Sequence, residues 1–134
     1  MNAGPQGRGS AFVAAGAIVL AAGVALGAVG AHAAKSAPHP EAARLIQTAV
    51  EYQLVHGLGL VVAGALARSG EASRLLALSG WLLLAGVAAF CGALYALAFA
   101  GVSTGALAPA GGISLIAGWI ALAAFAIVGR RRKG

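Results

Sequence analysis

The sequence predicts an all-α, polytopic membrane four-helix bundle with antiparallel, up-and-down neighbours, and three observations predict it. Four apolar stretches, roughly 11–34, 48–67, 75–100 and 109–128, fill most of the 134 residues. Only 9% of residues are charged against 60% hydrophobic, with a mean hydropathy of +0.91, whereas a soluble domain carries about 25% charged residues. Each stretch also has the length a membrane demands: a hydrocarbon core about 30 Å thick needs about 20 helical residues rising about 1.5 Å each. The connections between stretches are short, and short helical hairpins force neighbours antiparallel.

The positions of the charges set the expected orientation. Of the nine Lys and Arg, four form Arg130-Arg131-Arg132-Lys133, Arg68 and Arg74 flank the second turn, and Arg8 precedes the first span. Those seven share one side of a four-span topology, and only Lys35 and Arg44 lie on the other. Short loops rich in Lys and Arg stay cytoplasmic, so both termini are expected inside. The net charge of +6 does not point to nucleic acid, because no aromatic residues interleave the basic tail. The expected partner of that tail is anionic lipid.

Taken in order, residues 1–10 are Gly-rich and polar and read as a flexible cytoplasmic N-terminus, residues 11–128 as the four-helix domain, and residues 129–134 as a basic cytoplasmic tail. Arg8, an apolar run and Ala31-His32-Ala33 mimic a signal peptide with its cleavage site. The run exceeds the 7–15 residues usual for such a segment, so the first span is expected to be retained. Gly16, Gly23, Gly27 and Gly30 put small residues on one face of it, suited to close packing against a neighbour. Pro40 and Glu41 suit the first turn of a second helix that could run unbroken to Arg68. Gly70 reads as a helix stop in the turn 69–73. The third helix begins near Leu75 and ends by Gly101, Pro109 can start the fourth, and Gly129 is expected to end it.

Helix rise places the polar side chains. His32 lies about 32 Å from the inner start of its span, at the outer interface. Glu51, Tyr52 and Gln53 fall just inside the outer boundary near Thr48, His56 about 12 Å deep, and Tyr95 near the outer end of the third span. Every one of these groups belongs to the outer half. Tyr52, Gln53 and His56 can share a helix face, while Glu51 is about 140° from His56 around the axis. A carboxylate within a span is costly and usually faces the bundle with a partner, and by depth His32 is the nearest one. His32, Glu51, Tyr52, Gln53, His56 and Tyr95 are therefore the candidate polar network. Trp81 reads as an interfacial anchor, and Trp119 as mid-span packing. The lone Cys91 excludes a disulfide framework and a Cys-rich metal motif. No cofactor or metal is expected.

Four motifs carry a family resemblance: Gly27-Ala28-Val29-Gly30-Ala31-His32, Glu51-Tyr52-Gln53-Leu54-Val55-His56, Gly92-Ala93-Leu94-Tyr95, and Pro109-Ala110-Gly111-Gly112 with Gly118-Trp119. In that order they resemble the small bacterial membrane proteins classed as domain-of-unknown-function family 423, whose eukaryotic relatives are called transmembrane protein 256. The resemblance spans about 11–128. It implies a four-helix inner-membrane protein without an assigned activity, a retained first span, and Gly111 and Gly112 as packing glycines beside those of the first helix. Two departures stand out. The family usually has Ser-Gly-Ser-Leu-Tyr where this chain has Cys91-Gly92-Ala93-Leu94-Tyr95, and often a Thr where this chain has Ala108.

The function expected from these readings is that of a non-enzymatic structural or interaction protein, associating with itself or with a larger membrane complex. Two alternatives stay open: a small proton- or substrate-coupled transporter using Glu51, and a haem- or quinone-binding subunit using His32 and His56. Nothing resembles a nucleophile–base pair, a phosphate loop or a metalloprotease helix.

Overall fold

A computed structural model describes residues 5–37, 39–69 and 73–131. Helix α1 spans Pro5–Ala33, α2 Ala42–Arg68, α3 Arg74–Ala100 and α4 Leu107–Arg131, with a short 3-10 turn at Ala34–Ser36. All four helices are long and apolar enough to cross a membrane.

The ends of three helices show which local signals decide. Helix α1 starts at Pro5, so residues 5–10 are helical rather than part of a flexible segment. Gly9 within that stretch is already buried against α2. Gly129 does not stop α4, which runs on to Arg131; one helical glycine costs only about 1 kcal/mol relative to alanine. Leu107, two residues before Pro109, opens α4 because the whole first turn lacks intrahelical N–H partners. Helix α3 is capped at both ends. Ser73 Oγ accepts the Leu75 N–H at 3.1 Å, and Gly101 leaves the helix at φ +66°, a conformation that glycine adopts without steric cost. Pro38, the expected stop at Gly70 with residues 71–72, and residues 1–4 and 132–134 of the two termini lie outside the described residues.

Glycines seven apart bring α1 and α2 together. A Cβ on Gly16 would stand 2.7 Å from the Gly57 carbonyl oxygen, and one on Gly9 2.8 Å from that of Gly64. Further along, Gly23 lies against Leu54 and Gln53, and Gly30 against Ile46. Positions 9, 16, 23 and 30 of one helix thus meet positions 64, 57, 53–54 and 46 of its antiparallel neighbour. A seven-residue repeat keeps one seam facing the partner. In lipid the gain comes from van der Waals contact between closely approaching backbones, since burial of apolar groups drives nothing there.

Helices α2 and α3 form the central pair. In their most apolar stretches 44% and 33% of residues are buried, against 17% for α1 and 22% for α4. Helix α1 rests on α2 and reaches α3 through Phe12, whose ring covers Gly80 and meets Trp81 edge-on at 5.5 Å. Helix α4 rests on α3 and reaches α2 through Trp119, set against Gly59. Neighbours in space are thus neighbours in sequence, with α1 and α4 on the outside of the central pair. The core joins Phe12, Ala49, Leu60, Leu83, Val87, Cys91 and Leu115.

Candidate functional site

The polar side chains converge on the α1–α2–α3 junction, toward the end opposite the basic one. Gln53 is its hub. Its Nε2 donates to the Val19 carbonyl of α1 at 2.9 Å, and its Oε1 accepts from the Tyr95 hydroxyl of α3 at 2.7 Å. One buried amide therefore ties three helices. Gly23 makes this possible: with no side chain there, α1 comes close enough for the Gln53 amide to reach the carbonyl one turn earlier. Beside this clasp, Cys91 Sγ donates to the Ala49 carbonyl at 3.3 Å, and Ser114 Oγ donates to the Leu82 carbonyl at 2.8 Å. Each consecutive helix pair is thus crossed by at least one side-chain hydrogen bond. The Cys91 thiol thus acts as a donor from α3 to α2.

His56 is buried on the same face of α2 as Gln53, three residues on. Its Nδ1 lies 2.6 Å from the Tyr52 carbonyl. The Tyr52 ring stacks on the imidazole at 5.5 Å, Phe90 lies 4.6 Å from Tyr52, and Trp119 of α4 stands 6.0 Å from His56.

Two members of the predicted network do not join it. His32 is exposed in the last turn of α1 and has no hydrogen-bond partner among the described residues. Depth alone suggested its pairing, but His32 follows Gly30 by two residues, about 200° around the helix. Because Gly30 faces α2, the imidazole points away. Glu51 is likewise exposed, two residues from the inward Gln53, and its Oε1 accepts from Gln47 Nε2 at 2.9 Å along the same helix. The packing glycines also divide. Gly16, Gly23 and Gly30 are buried against α2, and Gly111 packs directly on the Phe90 backbone. Gly27 is exposed, and Gly112 has only the Phe90 ring near it, at 3.9 Å.

Outside the spans, Arg44 bonds to Glu41 at the start of α2 and holds that carboxyl below its ordinary pKa; the hydrogen bond is the first cause and the charge attraction the second. Composition alone passed over Gly9, Gly57, Gly64, Cys91 and Ser114. For the glycines a signal existed, in the seven-residue spacing of 9, 16, 23 and 30 and of 57 and 64. For the thiol and hydroxyl none did, since their acceptors are backbone carbonyls on other helices.

Four membrane-length helices, three of them tied by one internal amide, define a polytopic membrane protein of the four-helix bundle class. The chain belongs to the family described as "Protein of unknown function (DUF423)", which matches residues 26–112. It is 39% identical over 112 residues to the UPF0382 membrane protein SH2409 of Staphylococcus haemolyticus, covering 83% of this chain and 90% of the relative. To the UPF0382 membrane protein YwdK of Bacillus subtilis it is 35% identical over 117 residues, covering 87% and 95%. A UPF0382 membrane protein of Haemophilus influenzae is 39% identical over 102 residues, covering 75% and 80%. No solved structure matches the chain.

Proposed function

We propose that this protein is a non-enzymatic structural or interaction subunit of the bacterial inner membrane, with both termini cytoplasmic, that associates with itself or with a larger membrane complex. The observation that carries the reading is the use of the polar groups. Gln53, Tyr95, Cys91 and Ser114 spend their hydrogen bonds on other helices, which is how a bundle is held in lipid rather than how a reaction is run. The association surface is the uncovered flank of α1. Ala14, Ala17, Ala21, Ala25 and Ala28 are exposed there at helical spacing, and small side chains let a second helix approach.

The transporter alternative draws no support from Glu51, which faces outward and bonds along its own helix. Such a role needs an acid turned into a cavity near the midplane.

The test is the mass of the particle extracted in mild detergent and measured by native mass spectrometry. A multiple of the 13.0 kDa chain, or a defined heteromeric mass, is expected, and Ala21→Leu with Ala25→Leu should reduce it. A monomer in both mild detergent and lipid nanodiscs would overturn the reading.

A further inference from the structure

Where Trp119 of α4 meets α2 stands a histidine that the clasp does not use. A carbonyl oxygen only accepts, so the 2.6 Å contact with Tyr52 makes Nδ1 of His56 the donor, and in the neutral ring Nε2 is then an acceptor. The residue is only 8% exposed, yet Nε2 has no hydrogen-bond partner among the described residues. Nor is that atom sealed in: among the described residues, the fully enclosed side-chain polar atom lacking a partner is Ser79 Oγ. Tyr52, 42% exposed, and Trp119, 38% exposed, both stand beside the imidazole. Gly59 seats the indole, since a Cβ there would stand 3.0 Å from Trp119 Cζ2. The Tyr52 hydroxyl also has no partner among the described residues.

These features specify an occupant. An unpaired acceptor in hydrocarbon calls for a hydrogen-bond donor. Tyr52 and Trp119 are exposed on helices long and apolar enough to cross a membrane, so a donor reaching His56 beside them arrives dissolved in lipid. His56 lies about 12 Å below the level of Thr48, too deep for a phospholipid headgroup. The neighbouring Tyr52, Phe90 and Trp119 rings favour another ring, which they meet stacked or edge-on. Metal ligation fits less well, since no group of three metal-ligating side chains occurs among the described residues and Cys91 is turned to Ala49.

We propose that the surface around His56 binds a membrane-soluble aromatic alcohol of the hydroquinone or phenol class, its hydroxyl donating to Nε2 of His56 and its ring lying against Tyr52 and Trp119. The site is independent of the association role proposed above.

Full-length protein labelled with 15N-histidine, in lipid nanodiscs, would be titrated under argon with trimethylhydroquinone and, separately, with its dimethyl ether. The hydroquinone should move the Nε2 resonance of His56 upfield and saturably, leaving His32 and His39 unchanged. The ether, which has the ring but no donor, should bind about three- to tenfold more weakly, the range one hydrogen bond supplies. His56→Phe should weaken hydroquinone binding by a similar factor; the ether comparison uses unaltered protein and stands even if that variant misfolds. Equal affinity for the two compounds, non-saturating partition, or a shift at another histidine would overturn the proposal. So would a Soret band in protein from native membranes that disappears in His56→Phe, which would make the site a haem site.

Discussion

Tyr95 and Gln53, 42 positions apart, meet at 2.7 Å between α3 and α2, and the same glutamine amide reaches across to Val19 on α1 at 2.9 Å. Both ends of one side chain are thus used in a layer with little water, where an unpaired amide is costly. Gln53→Leu should destabilise the bundle by roughly 1–3 kcal/mol, and Tyr95→Phe by about 1 kcal/mol. Unfolding in mixed detergent micelles should show the double variant losing less than the sum, because the residues share a bond. Strict additivity would remove the clasp from the account.

The glycine seam makes opposite predictions for two glycines. At Gly16 an added methyl meets the Gly57 backbone and Val61, whereas at Gly92 nothing lies within 4 Å. Gly16→Ala should therefore cost about 1–3 kcal/mol through forced separation of α1 and α2. Gly92→Ala should gain about 0.5–1 kcal/mol from helix propensity alone. The same unfolding assay reads both, and equal effects would contradict the seam.

His32 tests the outward orientation of the α1 terminus. Exposed and without a hydrogen-bond partner among the described residues, it should tolerate His32→Ala within about 0.5 kcal/mol. A loss above 1 kcal/mol, on the scale of a broken buried hydrogen bond, would restore its pairing with α2.

Topology can be read in cells. Arg8, Arg68 and Arg74 share one end of the bundle with the close of α4, and basic short loops stay cytoplasmic. Alkaline phosphatase should be inactive when fused after Gly134 and active when inserted between Lys35 and Pro40. The reverse pattern would invert the proposed orientation.

Glu41 supplies a pH signature outside the spans. Its folded pKa lies below the ordinary 4.5 because Arg44 donates a hydrogen bond to it. A depressed carboxylate adds stability above its unfolded pKa, and that contribution is lost as pH falls through the folded value. Carboxyl 13C titration should show the Glu41 midpoint rising toward 4.5 in Arg44→Gln. An unchanged midpoint would assign the shift elsewhere.

Membrane class, helix number and the central place of the Glu51–His56 segment follow from composition and spacing, because the length of an apolar run and the depth of a residue along a helix are local quantities. Part of the azimuth was also legible. Two residues turn a helix by about 200°, so Gly30 facing α2 already sends His32 away from it, and an inward Gln53 sends Glu51 outward. Tertiary structure alone decided the rest. The acceptors for Gln53, Cys91 and Ser114 are carbonyls of Val19, Ala49 and Leu82, groups every residue carries and no sequence marks. Which of them is reached depends on how closely two helices pack and at what offset. Trp119 likewise walls His56 only because α4 lies across α3 with its indole against Gly59, a placement set by side-chain volumes on three helices at once.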